Sequence, residues 1–367
     1  MIYYIIWALL MLLSLNEINV SPKNRSIIVY GRKKISCKNL GYLCVVIILI
    51  VFGGTRDQIG IDFNTYKDIF LKVSNGTFIA FIEPMFYVIV KLFKSFSSVI
   101  LIYTALSVGT KAIYICKNSN YVWCSLLIYY SIYFLRFDMG MVRQSVAIGT
   151  SLLGLYFLYE KKKWKFVCMI LLSCCFHYSA IIMLLALVIY KRRIRYRFMV
   201  ISSLIAFGLS FTNIWYLIIK IFLKVFSFLP ISKYQAYIGD SNYIYNEFAI
   251  GDVQKILFLF VMIYLLYKYG ETEKLKYLLV MYYCGTMIFY LFKTFTTLSD
   301  RGSAYFVIVE IILLPYFINI LKNKLTKNTY LFLLGGYTLY YLNAYVHFTS
   351  TSWMNELYIP YKSWFFY

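Results

Sequence analysis

The sequence predicts an all-α fold, a polytopic membrane helix bundle of about twelve membrane helices that forms a single integral membrane domain over residues 1–367. Apolar residues make up 62% of the chain and charged residues 14%, whereas soluble domains contain about 45–50% and about 25% respectively. A soluble fold of 367 residues has no interior large enough to bury so much apolar surface.

The distribution of basic residues supports the same class. The formal net charge is +22, but Lys and Arg cluster between apolar segments, a pattern typical of the positive-inside rule. They do not form one polar face or a soluble basic domain. Nucleic acid is therefore not expected as a partner.

Ten apolar segments can cross a membrane, several of them only with tilting or local thinning of the bilayer. In chain order they cover residues 2–15, 40–54, 97–115, 121–135, 141–159, 198–213, 253–267, 277–292, 302–320 and 329–346. Four basic clusters set the orientation: residues 23–38 contain six Lys or Arg, residues 161–165 four, residues 191–197 five and residues 322–327 three. Placing all four clusters in the cytoplasm leaves both chain termini outside.

Two stretches do not fit a simple alternation of crossings. Residues 55–96 stay outside if residues 83–96 form an amphipathic helix on the membrane surface, which Lys91 and Lys94 favour over a crossing. Residues 166–190 have basic clusters at both ends, so we predict a short helical hairpin with His177 at its outer tip. The outer loops 55–96 and 216–252 are then expected to cap the functional site.

This topology gathers charged and titratable residues at the outer membrane boundary. They are Arg56, Asp62, Glu83, Asp138, Arg143, His177, Asp300, Arg301 and Tyr361. Charges at membrane depth are costly and persist mainly where they line a pathway or take part in chemistry. The sequence therefore predicts a membrane enzyme or transporter with an arginine-rich site.

The motifs around these residues also resemble a known family. In chain order they are Arg56 followed by Gly60-Ile61-Asp62 and Tyr66, then Glu83-Pro84, Met141-Val142-Arg143-Gln144, the basic turn 161–165, Cys175-Phe176-His177-Tyr178-Ser179, Ser299-Asp300-Arg301 and Pro360-Tyr361. In this order and spacing the chain resembles the EpsG-type and Wzy-type polymerases of bacterial surface polysaccharides, including O-antigen polymerases. The resemblance covers nearly the whole sequence.

The resemblance implies a glycosyltransferase of the cytoplasmic (inner) membrane with its active site on the periplasmic, or extracytoplasmic, face. A growing glycan would move from undecaprenyl diphosphate to the next lipid-linked repeat unit of a lipopolysaccharide O-antigen, a capsule or an exopolysaccharide. Because the diphosphate is the leaving group, no cofactor is expected. The lipid-linked repeat units are the expected partners, and a chain-length regulator and a flippase of the same pathway are candidate partners.

Three arginines suit the chemistry of a diphosphate leaving group. Arg56, Arg143 and Arg301 each follow or begin an apolar segment, and a guanidinium binds phosphate through two parallel hydrogen bonds and stabilises charge that develops as the leaving group departs. The alternatives are that they extend to the lipid headgroups or form ion pairs. The carboxylates available for such pairs are Asp62, Asp138 and Asp300.

The attacking hydroxyl must also lose a proton. His177 is one candidate base, since an imidazole can accept and release a proton readily. Asp62 is a rival base and Glu83 a weaker one, and the sequence alone does not rank them. We assign His177, Asp62 and Arg143 as candidate catalytic residues. The candidate substrate-binding residues are Arg56, Arg301, Tyr66, Glu83, Gln144, Tyr178, Tyr234, Tyr237 and Tyr361.

Other functions remain as alternatives. A transporter or flippase of lipid-linked oligosaccharide needs a cavity open to both faces and usually internal repeats, which the sequence does not show. A membrane O-acyltransferase can use His177 as its base but leaves the arginines harder to explain, and an O-antigen ligase is a close mechanistic relative. Phosphate loops, nucleophile elbows, zinc-protease motifs and acidic metal clusters are absent from the sequence, so no metal is expected.

Overall fold

The computed structural model describes residues 1–19, 37–80, 82–190, 194–212, 250–270, 272–350 and 353–365, together with positions 192, 214, 217, 218 and 221. About 80% of the structure is helical, and its regular elements are helices apart from one short antiparallel strand pair, so the predicted all-α class is confirmed. The chain divides into two compact units, Met1–Ile181 with Leu314–Tyr367, and Ile182–Leu313. The prediction of one integral membrane domain is not tested and stays a prediction.

The first part of the chain forms the larger group of packed helices. They are α1 (Ile2–Asn19), α2 (Cys37–Gly54), α3 (Phe63–Ser74), α4 (Pro84–Leu92), α5 (Phe96–Asn118), α6 (Val122–Ile128), a π-helix (Tyr129–Gly140), α7 (Val142–Tyr159) and α8 (Lys163–Phe176). Helix α7 packs against both α5 and α8. A side chain at Gly149 of α7 would place its Cβ 2.1 Å from Thr110 Oγ1 of α5, so a glycine is needed for the two helices to approach this closely.

The remaining described elements continue from residue 178. They are a 3₁₀-helix (Tyr178–Leu184), α9 (Leu185–Ile189), α10 (Tyr196–Leu209), α11 (Ile250–Tyr269), α12 (Glu273–Leu291), α13 (Thr296–Val307), α14 (Glu310–Tyr316), a 3₁₀-helix (Phe317–Asn319), α15 (Lys324–Val346), β1 (Thr349–Ser350) and β2 (Trp353–Glu356). In the second unit, α10, α11 and α13 all pack against α12. Thr272 begins α12 by accepting a hydrogen bond from the Leu275 backbone N–H at 3.3 Å.

All ten predicted apolar segments overlap helices, but one of them changes its helix type and another is bent. The segment 121–135 changes from α-helix to π-helix at Tyr129. The segment 302–320 is bent by 47° between α13 and α14. Within the described residues two helices, α1 and α5, are long and apolar enough to span a membrane, or three spans if the bent pair counts as one. The prediction of about twelve membrane helices is therefore not confirmed.

The break predicted near His177 is present. Helix α8 ends at Phe176, His177 is extended with φ −158° and ψ 118°, and a 3₁₀-helix begins at Tyr178. The His177 N–H donates to the Ser173 carbonyl at 2.9 Å and so completes the last turn of α8. The two helical segments on either side of His177 are thus confirmed, and their return across a membrane stays a prediction.

The C-terminal segment pairs with the loop that follows α2. Asp57 N–H donates to the Lys362 carbonyl and Trp364 N–H to the Thr55 carbonyl, both at 3.0 Å, and Gly60 N–H donates to the Leu357 carbonyl at 3.3 Å. The late proline–tyrosine motif and the first loop motif, at opposite ends of the sequence, therefore form one structure.

Candidate active site

Glu83 is the centre of a cluster of charged side chains. Its carboxylate is buried, with Oε1 2.7 Å from His177 Nδ1, and Oε2 accepts a hydrogen bond from Arg143 Nη1. The three residues come from the start of α4, the start of α7 and the end of α8. Three segments far apart in sequence are thus joined through one carboxylate.

The local sequence explains how Glu83 reaches this position. A residue before proline is restricted to extended backbone, and Glu83, which precedes Pro84, has φ −67° and ψ 145°. Pro84 then begins α4, where its missing N–H removes no helix hydrogen bond. Arg143 is the second residue of α7, after a break at Met141 with φ −112° and ψ 62°. The two helix starts therefore bring the carboxylate and the guanidinium together.

Arg143 is held by aromatic rings as well as by Glu83. Its guanidinium carbon lies 5.2 Å from the centroid of the Tyr66 ring and 5.8 Å from that of Phe86. Both rings belong to buried residues, on α3 and α4 respectively. Cation–π contacts of this kind are stronger when the cation is partly desolvated, and only 13% of the Arg143 side chain is exposed. Arg143 is therefore engaged mainly with residues of the protein.

The environment of Glu83 favours its ionised form. Burial alone would raise the pKa of the Glu83 carboxyl, but the hydrogen bond from His177 and the charge of Arg143 outweigh burial, so the pKa is lowered from its ordinary value. Glu83 is therefore a carboxylate at neutral pH and accepts hydrogen bonds from both neighbours. It is not itself suited to accept a proton from substrate.

The same contact fixes the proton arrangement of His177. When the imidazole is neutral, Nδ1–H donates to the Glu83 carboxylate at 2.7 Å, and Nε2 carries the lone pair. The carboxylate also stabilises the imidazolium that forms when Nε2 accepts a proton. His177 is 20% exposed and therefore not sealed inside the bundle. The pair has the chemistry of a general base with its orienting carboxylate.

Arg56 is buried in a different way, without a carboxylate partner in the described part of the chain. Its Nε donates to the Ile59 carbonyl at 3.1 Å, and Nη1 donates to the Gly53 carbonyl and, more weakly, to Thr104 Oγ1 at 3.5 Å. Burial lowers the pKa of Arg56 to about 10, which leaves it charged at neutral pH. The C-terminal end of α2 offsets about half a charge at most, and the charge of Asp138 also favours the charged form of Arg56.

Tyr361 contacts the protein next to Arg56. Its hydroxyl donates to the Phe52 carbonyl at 2.7 Å, and its ring stacks on the Phe52 ring with centroids 4.5 Å apart. Phe52 and Gly53 lie in the last turn of α2, where backbone carbonyls have no partner within the helix. Tyr361 and Arg56 thus complete the end of the same helix.

The sequence analysis did not single out Lys111, which forms the most buried ion pair of the first unit. Lys111 Nζ lies 2.9 Å from Asp138 Oδ1, and both side chains have no exposed surface. The sequence offered an arginine as the ion-pair partner of Asp138, and the structure shows Lys111 as its partner instead. A lysine inside the apolar segment 97–115 is itself an anomaly at membrane depth, so a signal for it was present in the sequence.

The other predicted residues are more scattered. Asp62 is half-buried just before α3, Gln144 is buried in α7, and the exposed Tyr178 donates only a long hydrogen bond of 3.5 Å to the Ile82 carbonyl. Arg301 is half-buried in α13 of the second unit. Tyr234 and Tyr237, with nearly all of the predicted outer loop 216–252, lie outside the described residues.

The second unit contains a buried ion pair of its own. Lys293 Nζ, just after α12, lies 2.6 Å from Asp252 Oδ2 of α11, and it lies 4.0 Å from the centroid of the Phe211 ring. As for metals, the described ranges contain no group of three or more His, Cys, Asp or Glu side chains arranged to hold an ion. The expectation that no metal is used stays a prediction.

The helical fold and the buried charges define a class. Apolar helices that bury ion pairs and an arginine without a carboxylate partner among the described residues are typical of membrane proteins with a functional site inside the helix bundle. The sequence matches the EpsG family over residues 39–363, so the chain belongs to the EpsG family. This family is associated with polysaccharide polymerase-like membrane proteins of glycosyltransferase type. No curated protein and no solved structure matches the chain.

Proposed function

We propose that the chain is a polysaccharide polymerase that transfers a growing glycan from undecaprenyl diphosphate to the next lipid-linked repeat unit. The observation that carries this proposal is the 2.7 Å contact between Glu83 Oε1 and His177 Nδ1. Within a family associated with polymerase activity, this contact supplies the oriented base that glycosyl transfer to a hydroxyl group needs.

For its chemical balance, the proposed glycosyl transfer needs only the two lipid-linked substrates and the Glu83–His177 pair. The hydroxyl of the incoming repeat unit attacks the anomeric carbon of the donor glycan, and the bond from that carbon to the diphosphate oxygen breaks. The bonding electrons leave with undecaprenyl diphosphate, and the hydroxyl proton moves to His177 Nε2. Glu83 stabilises the resulting imidazolium. A positioned base of this kind contributes about a hundred- to ten-thousandfold in rate.

Arg56 is the best candidate to stabilise the leaving diphosphate. It is buried and forms no ion pair with a carboxylate of the described residues, and a preorganised cation of this kind is worth most in a site with little water. Arg143 has its charge largely offset by Glu83, so we assign it to holding the carboxylate. Arg301, in the second unit, remains a proposed ligand of the diphosphate or the glycan. Asp62 remains the rival base.

The helix directions support a site on the outer face of the cytoplasmic membrane. Helix α7 ends at Tyr159, just before the basic turn 161–165, and α8 begins within this turn at Lys163. Arg143 and His177 are at the opposite ends of these two helices. If the basic turn is cytoplasmic, both residues face the other side. A chain-length regulator and a flippase of the same pathway are proposed partners.

Purified protein in lipid nanodiscs, supplied only with lipid-linked repeat units, tests the activity directly. We expect a ladder of longer glycans and release of undecaprenyl diphosphate, without a nucleotide sugar. Absence of both products from correctly folded protein would contradict the proposal.

Deletion of the gene in cells separates the alternatives. Loss of a polymerase leaves single repeat units displayed on the surface. Loss of a flippase leaves none, loss of a ligase leaves polymer that is not attached to its final lipid, and loss of an O-acyltransferase leaves chains of normal length without acyl groups.

A further inference from the structure

We propose that Lys111 is a positioning residue, which holds the start of α7 so that Arg143 and Glu83 meet in the geometry that the proposed transfer requires. The inference rests on the proposed function of the Glu83–His177 pair. Lys111 and Asp138 do not contact Glu83 or His177. Their effect on these residues would be transmitted through the backbone of α7.

The ammonium group of Lys111 joins three elements. Nζ lies 2.6 Å from Ser107 Oγ on α5, 2.9 Å from Asp138 Oδ1 near the end of the π-helix, and 2.8 Å from Ser145 Oγ in the first turn of α7. All four side chains are buried. Three oxygens from three elements thus surround one cation.

The break between the π-helix and α7 lies between two of these attachments. Asp138 precedes the break at Gly140 and Met141, and Ser145 follows it, with Arg143 in between. Because the regular helix is interrupted between Gly140 and Val142, a bond on each side of the interruption fixes the direction in which Arg143 projects. Lys111 provides both bonds with a single atom.

The composition of this cluster argues against a purely stabilising role. A buried ion pair is often no more stable than apolar side chains of the same volume. Here Asp138 Oδ2 and the neighbouring Tyr129 hydroxyl are buried without a hydrogen bond of good geometry among the described residues, which adds to the cost of the arrangement. A role in positioning α7 explains why Lys111 and Asp138 occupy a site where apolar side chains would stabilise the fold equally well.

The first test compares two serines that contact the same ammonium. Ser145→Ala removes the bond to α7, whereas the control Ser107→Ala removes a bond within α5 only. With purified lipid-linked repeat units as substrate, we expect kcat to fall about tenfold or more in Ser145→Ala, since small misplacements of catalytic groups have large effects on rate, with KM nearly unchanged. Ser107→Ala should keep nearly wild-type kcat. Equal kcat in the two variants would overturn the proposal.

The second test separates positioning from stability. Single changes at Lys111 or Asp138 leave a buried charge unpaired and are expected to lower the melting temperature, whereas Lys111→Met with Asp138→Leu should restore it. We expect the double variant to melt at or above the wild-type temperature and still show a reduced kcat. Wild-type kcat in the double variant would show that the pair serves only packing. If wild-type protein itself forms no polymer, the proposed function fails instead.

Discussion

At the scale of single residues, Glu83 has two separate tasks, and they predict different effects on replacement. It orients His177 through Oε1 and neutralises Arg143 through Oε2. In the proposed mechanism the first task serves proton transfer, and the second concerns the stability of the buried charges. Changes at Glu83, His177 and Arg143 can therefore be told apart by measuring turnover and stability on the same variants.

Replacement of Glu83 by glutamine should change the pH dependence of turnover. The amide keeps the shape of the carboxyl group but removes the negative charge beside the imidazolium. We expect kcat to fall, and the acidic limb of the kcat/KM profile to move to lower pH because protonated His177 has lost its anionic partner. Turnover measured between about pH 5 and 9 on lipid-linked repeat units checks this. An unchanged profile would mean that Glu83 does not act on the base.

The Glu83–Arg143 pair should behave as a buried ion pair in stability measurements. Because the pKa of Glu83 is lowered in the fold, its ionised form stabilises the protein above the ordinary carboxyl pKa, and this stabilisation is lost as the pH falls through the lowered value. Arg143→Met removes the guanidinium partner of the buried carboxylate and leaves it only the contact with His177 among the described residues, so it should cost about 3–5 kcal/mol near neutral pH.

The matching double variant supplies the control for that measurement. Arg143→Met together with Glu83→Gln removes both charges and should recover most of the melting temperature, but not the activity. The exposed pair of Lys162 and Glu160, with 4.0 Å between its charged atoms, provides the second comparison, since Glu160→Gln should change stability by less than about 1 kcal/mol. A similar loss of stability in Arg143→Met and Glu160→Gln would contradict the assignment of Glu83 and Arg143 as a stabilising buried ion pair.

At the scale of elements, the loop after α2 is fixed by its contacts with the π-helix and the C-terminal segment. Gly60 has φ +109°, and a Cβ at this position would lie 2.1 Å from the Met139 carbonyl oxygen. The same residue donates to the Leu357 carbonyl at 3.3 Å. The backbone of the loop that carries Arg56 therefore packs directly against Met139 at Gly60.

Gly60 and Gly76, which both have positive φ, test the importance of the contact with Met139. Gly60→Ala adds both backbone strain and a clash with Met139, so we expect a strong loss of stability and activity. Gly76 has φ +81° but no atom within 4 Å of an added Cβ, so Gly76→Ala should cost only about 1 kcal/mol of backbone strain. Melting temperature and turnover of the two variants check the expectation. Comparable losses in both would show that the packing against Met139 is unimportant.

The same elements show what the sequence could and could not reveal. The break at His177 and the helix start at Pro84 were predictable, because flanking basic clusters and a proline act locally. The contact of Glu83 with His177 was not, because it depends on how α4 and α8 pack, and no residue spacing encodes that. Lys111 was overlooked although a lysine within an apolar segment is conspicuous, because its partner lies in another helix.

At the scale of the whole molecule, the arrangement in the membrane follows from the basic clusters and remains a prediction. Cysteine placed at the exposed Asn75, in the turn after α3, should react with a reagent that does not cross the membrane. Cysteine at the exposed Lys162, between α7 and α8, should react only after the membrane is opened. Labelling of intact cells checks this. External labelling at position 162 would show that the predicted orientation is reversed and that the site faces the cytoplasm.

The central claim is that His177 removes the proton from the attacking hydroxyl, and the turnover of purified His177→Gln on lipid-linked repeat units tests it most directly. Glutamine keeps a similar size and a hydrogen bond to Glu83 but cannot accept the proton. We predict that kcat falls by about a hundred- to ten-thousandfold, while binding of the repeat unit and the melting temperature stay close to wild type. Turnover within about tenfold of wild type would show that the proton goes elsewhere, with Asp62 as the next candidate.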